Sequence, residues 1–263
     1  MKMKDKKVIF FDVDGTIVTG DHVIPVSAKE ALYKAHENGH ILVVNTGRPY
    51  GHVEEQIRAL PFDGFVCSLG GYIRWQGQEL YYRQPSRDVC LRVRELAKEC
   101  CMSVLYEWEK GAFSAVDRSN PYACKDHDWL VNMGVPVWDQ DAENFIFDKF
   151  VCWPMEGADR ERFCAELAND LDFIHREHQM MEVVGKGLTK AGGMQHLAQM
   201  LGFRRENTFA IGDGPNDLAM LHAAGTSILM GNAPERLWPE ADYVTAHILE
   251  DGLYKALEHF DLI

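Results

Sequence analysis

The sequence predicts an α/β protein with a parallel-sheet core, into which an α+β domain is inserted. Three observations carry this. At both ends of the chain short apolar runs alternate with helix-period segments, the signature of βα units. Between them, residues 84–186 change to hairpins mixed with helices. The strand-like runs at the two ends also stop at polar clusters. These are Asp12-Val13-Asp14-Gly15-Thr16, Asn45-Thr46-Gly47-Arg48 and Gly212-Asp213-Gly214-Pro215-Asn216-Asp217. Parallel strands deliver residues in this way to the carboxyl edge of one sheet, where ligands bind.

The first strand is the run Val8-Ile9-Phe10-Phe11, short, apolar and rich in β-formers. A helix follows, signalled by a capping box at Ser27-Ala28-Lys29-Glu30, an apolar face through Leu32 and Ala35, and a stop at Gly39. Ile41-Leu42-Val43-Val44 is a second buried strand, and Val53, Ile57 and Leu60 mark a second helix. Phe65-Val66-Cys67 is a third strand, and residues 72–75 and 80–83 form a hairpin around Gln76-Gly77-Gln78. The inserted region then reads as a helix over 87–100 and a hairpin of 104–108 with 112–116. A helix over 123–133, a strand over 145–153, a helix over 159–169 and strands over 173–176 and 180–184 complete it. After Gly185-Lys186-Gly187 the parallel pattern resumes. Met194, Leu197, Ala198 and Leu201 share a helical face, and Thr208-Phe209-Ala210-Ile211 is a strand. Leu218, Leu221 and His222 open a helix, and residues 227–230 and 243–245 are short strands. The domains expected are thus 1–83 plus 187–263 for the core and 84–186 for the insertion.

Composition narrows the function classes. The 263 residues are 46% hydrophobic and 25% charged, within the usual range for globular proteins. The net charge of −13 argues against a nucleic-acid or anionic-membrane partner. The seven cysteines form no CxxC pair, so reduced thiols and a cytoplasmic location are expected. The start is basic, but its apolar run is confined to Val8–Phe11, short of the roughly 7–15 residues of a secretory segment. No stretch reaches the ~20 apolar residues of a membrane span.

Asp12 and Asp14 stand two residues apart at the open end of a strand, on one side of it if the chain stays extended. Two acids placed together repel and lose solvation, and a cation or phosphate chemistry would explain that cost. A set of carboxylates with a hydroxyl, and with neither His nor Cys, suits a hard, oxygen-loving ion such as Mg²⁺. A carboxylate can also attack phosphorus directly, which calls for a nearby lysine. Lys190, at the start of the helix where the chain returns to the core, is the best candidate.

With Gly187-Leu188-Thr189-Lys190 added, the polar clusters resemble the four ordered motifs of the haloacid dehalogenase-like (HAD) phosphatases. Within these the chain resembles the Cof-type subfamily, with a Rossmann-like core and a large α/β cap between the second and third motifs. Gly231-Asn232-Ala233, Ala241-Asp242 and Glu250-Asp251-Gly252 are similar to the tail of that subfamily. The resemblance implies that Asp12 is the nucleophile and that Asp14 is general acid and then general base. Thr46 and Lys190 would hold the phosphoryl oxygens, and Gly47, Arg48 and Asn216 would lie against phosphate or substrate. Asp12, Asp213 and Asp217 would serve Mg²⁺, together with the backbone carbonyl of Asp14. It further implies a phosphatase for a small phosphate ester, a sugar phosphate first among the candidates, working as a monomer or weak homodimer. Asp14 favours phosphate esters over carbon–halogen bonds. A sugar phosphomutase or a non-catalytic metabolite-binding protein would use the same scaffold.

Other residues are read as structural: His175 and His178 in a turn of the inserted domain, and Cys100-Cys101 at a helix end. Glu182 is noted as a possible contact for a polar substrate.

Overall fold

The computed structural model describes residues 6–263; most of the basic start, residues 1–5, lies outside them. In chain order the elements begin with β1 (Val8–Phe11), α1 (Val26–Glu37), β2 (Ile41–Asn45), α2 (Glu55–Arg58), β3 (Gly64–Cys67), β4 (Tyr72–Trp75) and β5 (Gln78–Tyr82). Next come α3 (Arg87–Glu99), β6 (Met102–Trp108), β7 (Gly111–Ala115), α4 (Pro121–Asn132), β8 (Val137–Asp139), β9 (Lys149–Pro154), α5 (Arg160–Leu167), β10 (Leu171–His175) and β11 (Met181–Gly185). The chain closes with α6 (Lys190–Leu201), β12 (Thr208–Gly212), α7 (Leu218–Ala223), β13 (Thr226–Leu229), β14 (Tyr243–Val244) and α8 (Gly252–His259).

These elements form two compact units. One holds the described residues through Gly47 with Glu55–Tyr81 and Thr189–Ile263; the other holds Arg48–Glu54 and Tyr82–Leu188.

The first unit is built on an eight-stranded sheet among the described residues, in the order β14-β13-β12-β1-β2-β3-β4-β5. The strands from β14 to β3 run parallel, and β4 returns antiparallel to β3. β1 is central, with Phe11 opposite Ile211 on β12 and Val44 on β2. Because these registers are level, the residues that follow the three strands emerge at one edge. Every residue of β1, β2 and β12 is buried, as befits parallel strands covered on both faces. Val8, Phe10, Val43, Val66 and Ala210 pack with Met194 and Leu197 of α6 and Met220 and Leu221 of α7.

Two expectations for this unit need correction. α1 starts at Val26 with Pro25 as its N-cap, and no side chain caps it. Ser27 therefore sits inside the first turn, and Glu30 is spent on Lys34 at 2.8 Å. The second helix is one turn long: Val53 is extended and Leu60 lies beyond the helix. Pro61 follows Leu60 and disfavours the helical conformation for it. α8, whose Leu253, Ala256 and Leu257 are buried at helical spacing, was not anticipated.

The second unit carries a six-stranded sheet in the order β10-β11-β9-β6-β7-β8. It is antiparallel except for the β7–β8 pair. Alternation along β6 sends Val104 and Tyr106 to one apolar cluster and Leu105 to another. The expected strand over 145–153 begins only at Lys149. Phe145 and Phe147 are apolar for packing rather than for strand pairing: both are fully buried, with rings 4.8 and 5.5 Å from Tyr106. β8 was not anticipated.

Candidate active site

The first unit builds its polar site where β1, β2 and β12 end. The Asp12 backbone N–H donates to the Ile211 carbonyl at 2.9 Å, extending the β1–β12 pairing by one residue. The chain then turns tightly, with the Val13 carbonyl accepting from Ile17 and Val18 at 2.9 and 3.0 Å. Gly15 takes φ +76° in this turn, and a Cβ there would lie 2.0 Å from Asp213 Oδ2. Glycine is required on both counts.

Lys190 is placed by the start of α6. Thr189 caps that helix, its Oγ1 accepting from the Gly192 N–H at 2.9 Å. Asn45, the last residue of β2, donates its Nδ2 to the Lys190 carbonyl at 3.0 Å. The lysine is 1% exposed. Its Nζ donates to Asp12 Oδ1 and, at 2.6 Å, to Asp217 Oδ1. The other oxygen of Asp217 accepts from the backbone N–H groups of Asp213 and Gly214, each at 3.0 Å. Asp217 thus holds both the lysine and the loop that carries Asp213.

Electrostatics follow from this crowding. Burial pushes the Asp12 carboxyl well above the usual carboxylate range, and the charge of Asp217 adds to it while Lys190 opposes. Burial, again joined by Asp217, pushes Asp213 up to about 7. Burial works against the Lys190 ammonium, yet Asp12 and Asp217 outweigh it and hold the lysine above its ordinary value. The one ammonium meets Asp12 and Asp217, and Asp213 lies beside those two carboxylates, so negative charge is in excess. One oxygen each from Asp12, Asp213 and Asp217 lies within 4.8 Å of the others. This all-oxygen set with surplus negative charge fits a hard divalent cation.

The structure thus brings together Asp12, Lys190, Asp213 and Asp217. Asp14 follows Asp12 with an exposed side chain, and Thr46 is buried at the end of β2, its N–H donating to Val66 at 2.9 Å. Asn216 folds over its own loop, where a Cβ on Gly214 would lie 2.5 Å from Asn216 Oδ1. Gly47 closes the first unit's segment and Arg48 belongs to the second unit. There the guanidinium lies 4.8 Å from the Trp129 ring centroid and 3.6 Å from Glu54.

Two residues quoted within motifs were given no role by the sequence reading, Asn45 and Asn232. Asn232 donates to Asp213 Oδ2 at 3.1 Å. Its signal was its place just after a strand of the same sheet, in Gly231-Asn232-Ala233.

The residues read as structural stay so. His175 closes β10 rather than lying in a turn, with its Nδ1 2.5 Å from Arg160, and His178 stacks on Tyr122 with ring centroids 3.9 Å apart. Cys100 caps the end of α3. Glu182, noted above as a possible substrate contact, is buried and bonded to Lys149 at 2.5 Å and to Arg176.

Comparison with known proteins agrees with this geometry. A family model described as haloacid dehalogenase-like hydrolase matches residues 9–257. The 5-amino-6-(5-phospho-D-ribitylamino)uracil phosphatase YcsE of Bacillus subtilis is 27% identical over 265 residues, spanning 98% of this chain and 97% of that protein. The HMP-PP phosphatase of Cronobacter sakazakii is 24% identical over 268 residues, spanning 95% and 94% of the two chains. Among solved structures, the HAD subclass IIB sugar phosphatase BT4131 matches with a TM-score of 0.81 at 28% identity, over 98% of this chain and 100% of that one. The phosphatase BT1666 of Bacteroides thetaiotaomicron matches with a TM-score of 0.81 at 30% identity, over 98% and 96%. A family match that spans nearly the whole chain, together with an aspartate–lysine site at the sheet edge, makes this protein a phosphatase of the haloacid dehalogenase-like hydrolase family.

Proposed function

We propose that the protein is a Mg²⁺-dependent phosphomonoesterase that hydrolyses a small sugar phosphate through an aspartyl phosphate on Asp12. The observation that carries this reading is the buried Lys190 ammonium bonded to Asp12 beside two further carboxylates. The sugar-phosphate class draws on the likeness to a sugar phosphatase and to a phosphatase named for a phosphoribityl compound.

In the first step an Asp12 carboxylate oxygen forms a bond to phosphorus as the bond from phosphorus to the substrate oxygen breaks. Asp14 gives its proton to that leaving oxygen, and the alcohol departs. In the second step the Asp14 carboxylate takes a proton from water, whose oxygen attacks phosphorus. Orthophosphate leaves and the Asp12 carboxylate is restored. Lys190 and Thr46 hold the phosphoryl oxygens, and the fixed ammonium stabilises charge in both transition states. Asp217 keeps the ammonium in place, and Asn45 fixes the turn of helix that bears it. Asp12 and Asp213 would hold Mg²⁺, with the Asp14 backbone carbonyl. That ion would supply neutralisation of phosphoryl charge.

The test is phosphate release from p-nitrophenyl phosphate and a sugar phosphate panel, with Mg²⁺ and with EDTA. The wild type should turn over and lose activity in EDTA, and Asp12→Asn should be inactive while retaining its fold. Wild-type-like turnover by Asp12→Asn would sink the mechanism. Release of an isomerised sugar phosphate in place of orthophosphate would make the enzyme a mutase.

A further inference from the structure

We infer that Asn232 is a positioning residue that holds the Asp213 carboxylate in the geometry a divalent cation needs. The inference rests on the Mg²⁺-dependent reading above. Asn232 lies just after β13, and its side chain reaches three other segments of the first unit. Nδ2 donates to the Gly15 carbonyl at 2.9 Å and to Asp213 Oδ2 at 3.1 Å. Oδ1 accepts from the Ile248 N–H at 3.1 Å. Both amide hydrogens and the amide oxygen are therefore in use. The network also sets which way the amide points. A flip would turn its oxygen against a carbonyl and a carboxylate and its N–H group against another N–H.

Asp213 has little freedom in this arrangement. Its backbone N–H is bonded to Asp217 Oδ2 at 3.0 Å. On one side its carboxylate lies so close to Gly15 that a Cβ there would be 2.0 Å from Oδ2. Its carboxylate must also stay near those of Asp12 and Asp217, with ligand oxygens within 4.8 Å of one another. Like charges at that spacing push apart. The Asn232 amide supplies a neutral donor that offsets the repulsion and ties the nucleophile's loop, through Gly15, to the loop of Asp213. Losing a hydrogen-bond partner of a metal-binding carboxylate typically weakens metal affinity about 10–100-fold.

Calorimetric titration of Mg²⁺ into the full-length protein, alongside the Mg²⁺ dependence of p-nitrophenyl phosphate hydrolysis, tests the assignment. Asn232→Ala should weaken Mg²⁺ binding by about 10–100-fold and raise the activating Mg²⁺ concentration in proportion. KM at saturating Mg²⁺ should hardly change. In an Asp213→Ala background the same substitution should produce no further loss of Mg²⁺ affinity, since it acts through Asp213. Asn232→Ser is the second variant, in case the alanine protein does not fold. Its hydroxyl ends one bond short of the amide nitrogen and cannot bridge both acceptors, so the same weakening is expected. A folded variant that binds Mg²⁺ as tightly as a Mg²⁺-binding wild type overturns the positioning role alone. An equal loss with and without Asp213 also overturns it. A wild type that neither binds Mg²⁺ nor needs it for turnover overturns the functional reading and this inference with it.

Discussion

Replacing Lys190 by Met leaves a side chain of similar length without its charge. In the native site that charge sits on a side chain with 0% exposure, between Asp217 at 0% and Asp12 at 6%. Solvent therefore does not screen the two pairs. Removing one partner of a buried ion pair costs about 3–5 kcal/mol, because the charge left behind stays buried. For a chain of this size that corresponds to a fall in Tm on the order of 10 °C. The deficit should depend on pH with a definite sign. Burial first, and Asp217 second, already hold the Asp12 carboxyl above its unfolded value; without Lys190 it rises further. A carboxyl raised in the folded state contributes stability that is complete below its unfolded pKa and is lost as pH rises through the folded one. The lysine itself, held above its ordinary value, stays charged throughout the neutral and mildly acidic range. Thermal melts followed by circular dichroism across a pH series should thus show a deficit that shrinks on acidification. Turnover should fall by about 10²–10³-fold, the typical effect of losing one transition-state charge stabiliser. A variant as stable as the wild type at pH 7.5, or one whose deficit grows on acidification, would refute the electrostatic argument.

Further predictions follow from other contacts. Asp148 is buried, with Tyr82 and Gln84 donating to Oδ1 at 2.7 and 3.0 Å, and burial pushes its carboxyl up to about 6. Its contribution is full below about pH 4 and is lost as pH rises through about 6. Asp148→Asn keeps an oxygen for both donors. It should therefore gain up to about 3 kcal/mol on the wild type between pH 4 and pH 7, read from urea melts across that range; a flat difference would refute it. Gly15→Ala should cost turnover on the order of 10²-fold by displacing Asp213, with the fold intact by circular dichroism. Unchanged turnover in that variant would mean that the tight fit of Gly15 against Asp213 plays no part in catalysis.

Much of the first unit was legible because its signals are local. β1, β2 and β12 are largely apolar runs that end at polar clusters, the form that parallel strands buried on both faces usually take. Where the reading failed, a local pattern met a tertiary or backbone constraint. Ser27 and Glu30 have capping-box spacing, yet the helix begins at Val26. Phe145 and Phe147 look like strand residues, but they fill the space around Tyr106. The one-turn α2 shows the same conflict, with apolar spacing inviting a longer helix, whereas Pro61 disfavours the helical conformation at Leu60 and Val53 is extended.

By itself the sequence marked Asp12, Lys190, Asp213 and Asp217 as candidates, since they stand near strand or helix ends that chain pattern reveals. It could not determine their pairing. The Lys190 ammonium meets Asp12 across 178 positions of chain and Asp217 across 27, and only the packing of α6 on the sheet, with Asn45 of β2 bonded to the Lys190 carbonyl, brings them together. Nor could it show that Asp217 spends both its oxygens on the lysine and the neighbouring loop, or that Asn232 reaches Asp213 and Gly15. The apolar runs and stop signals that mark strands and helices lie close together in sequence, whereas strand pairing, burial, charge pairing and shared hydrogen bonds depend on distance in space.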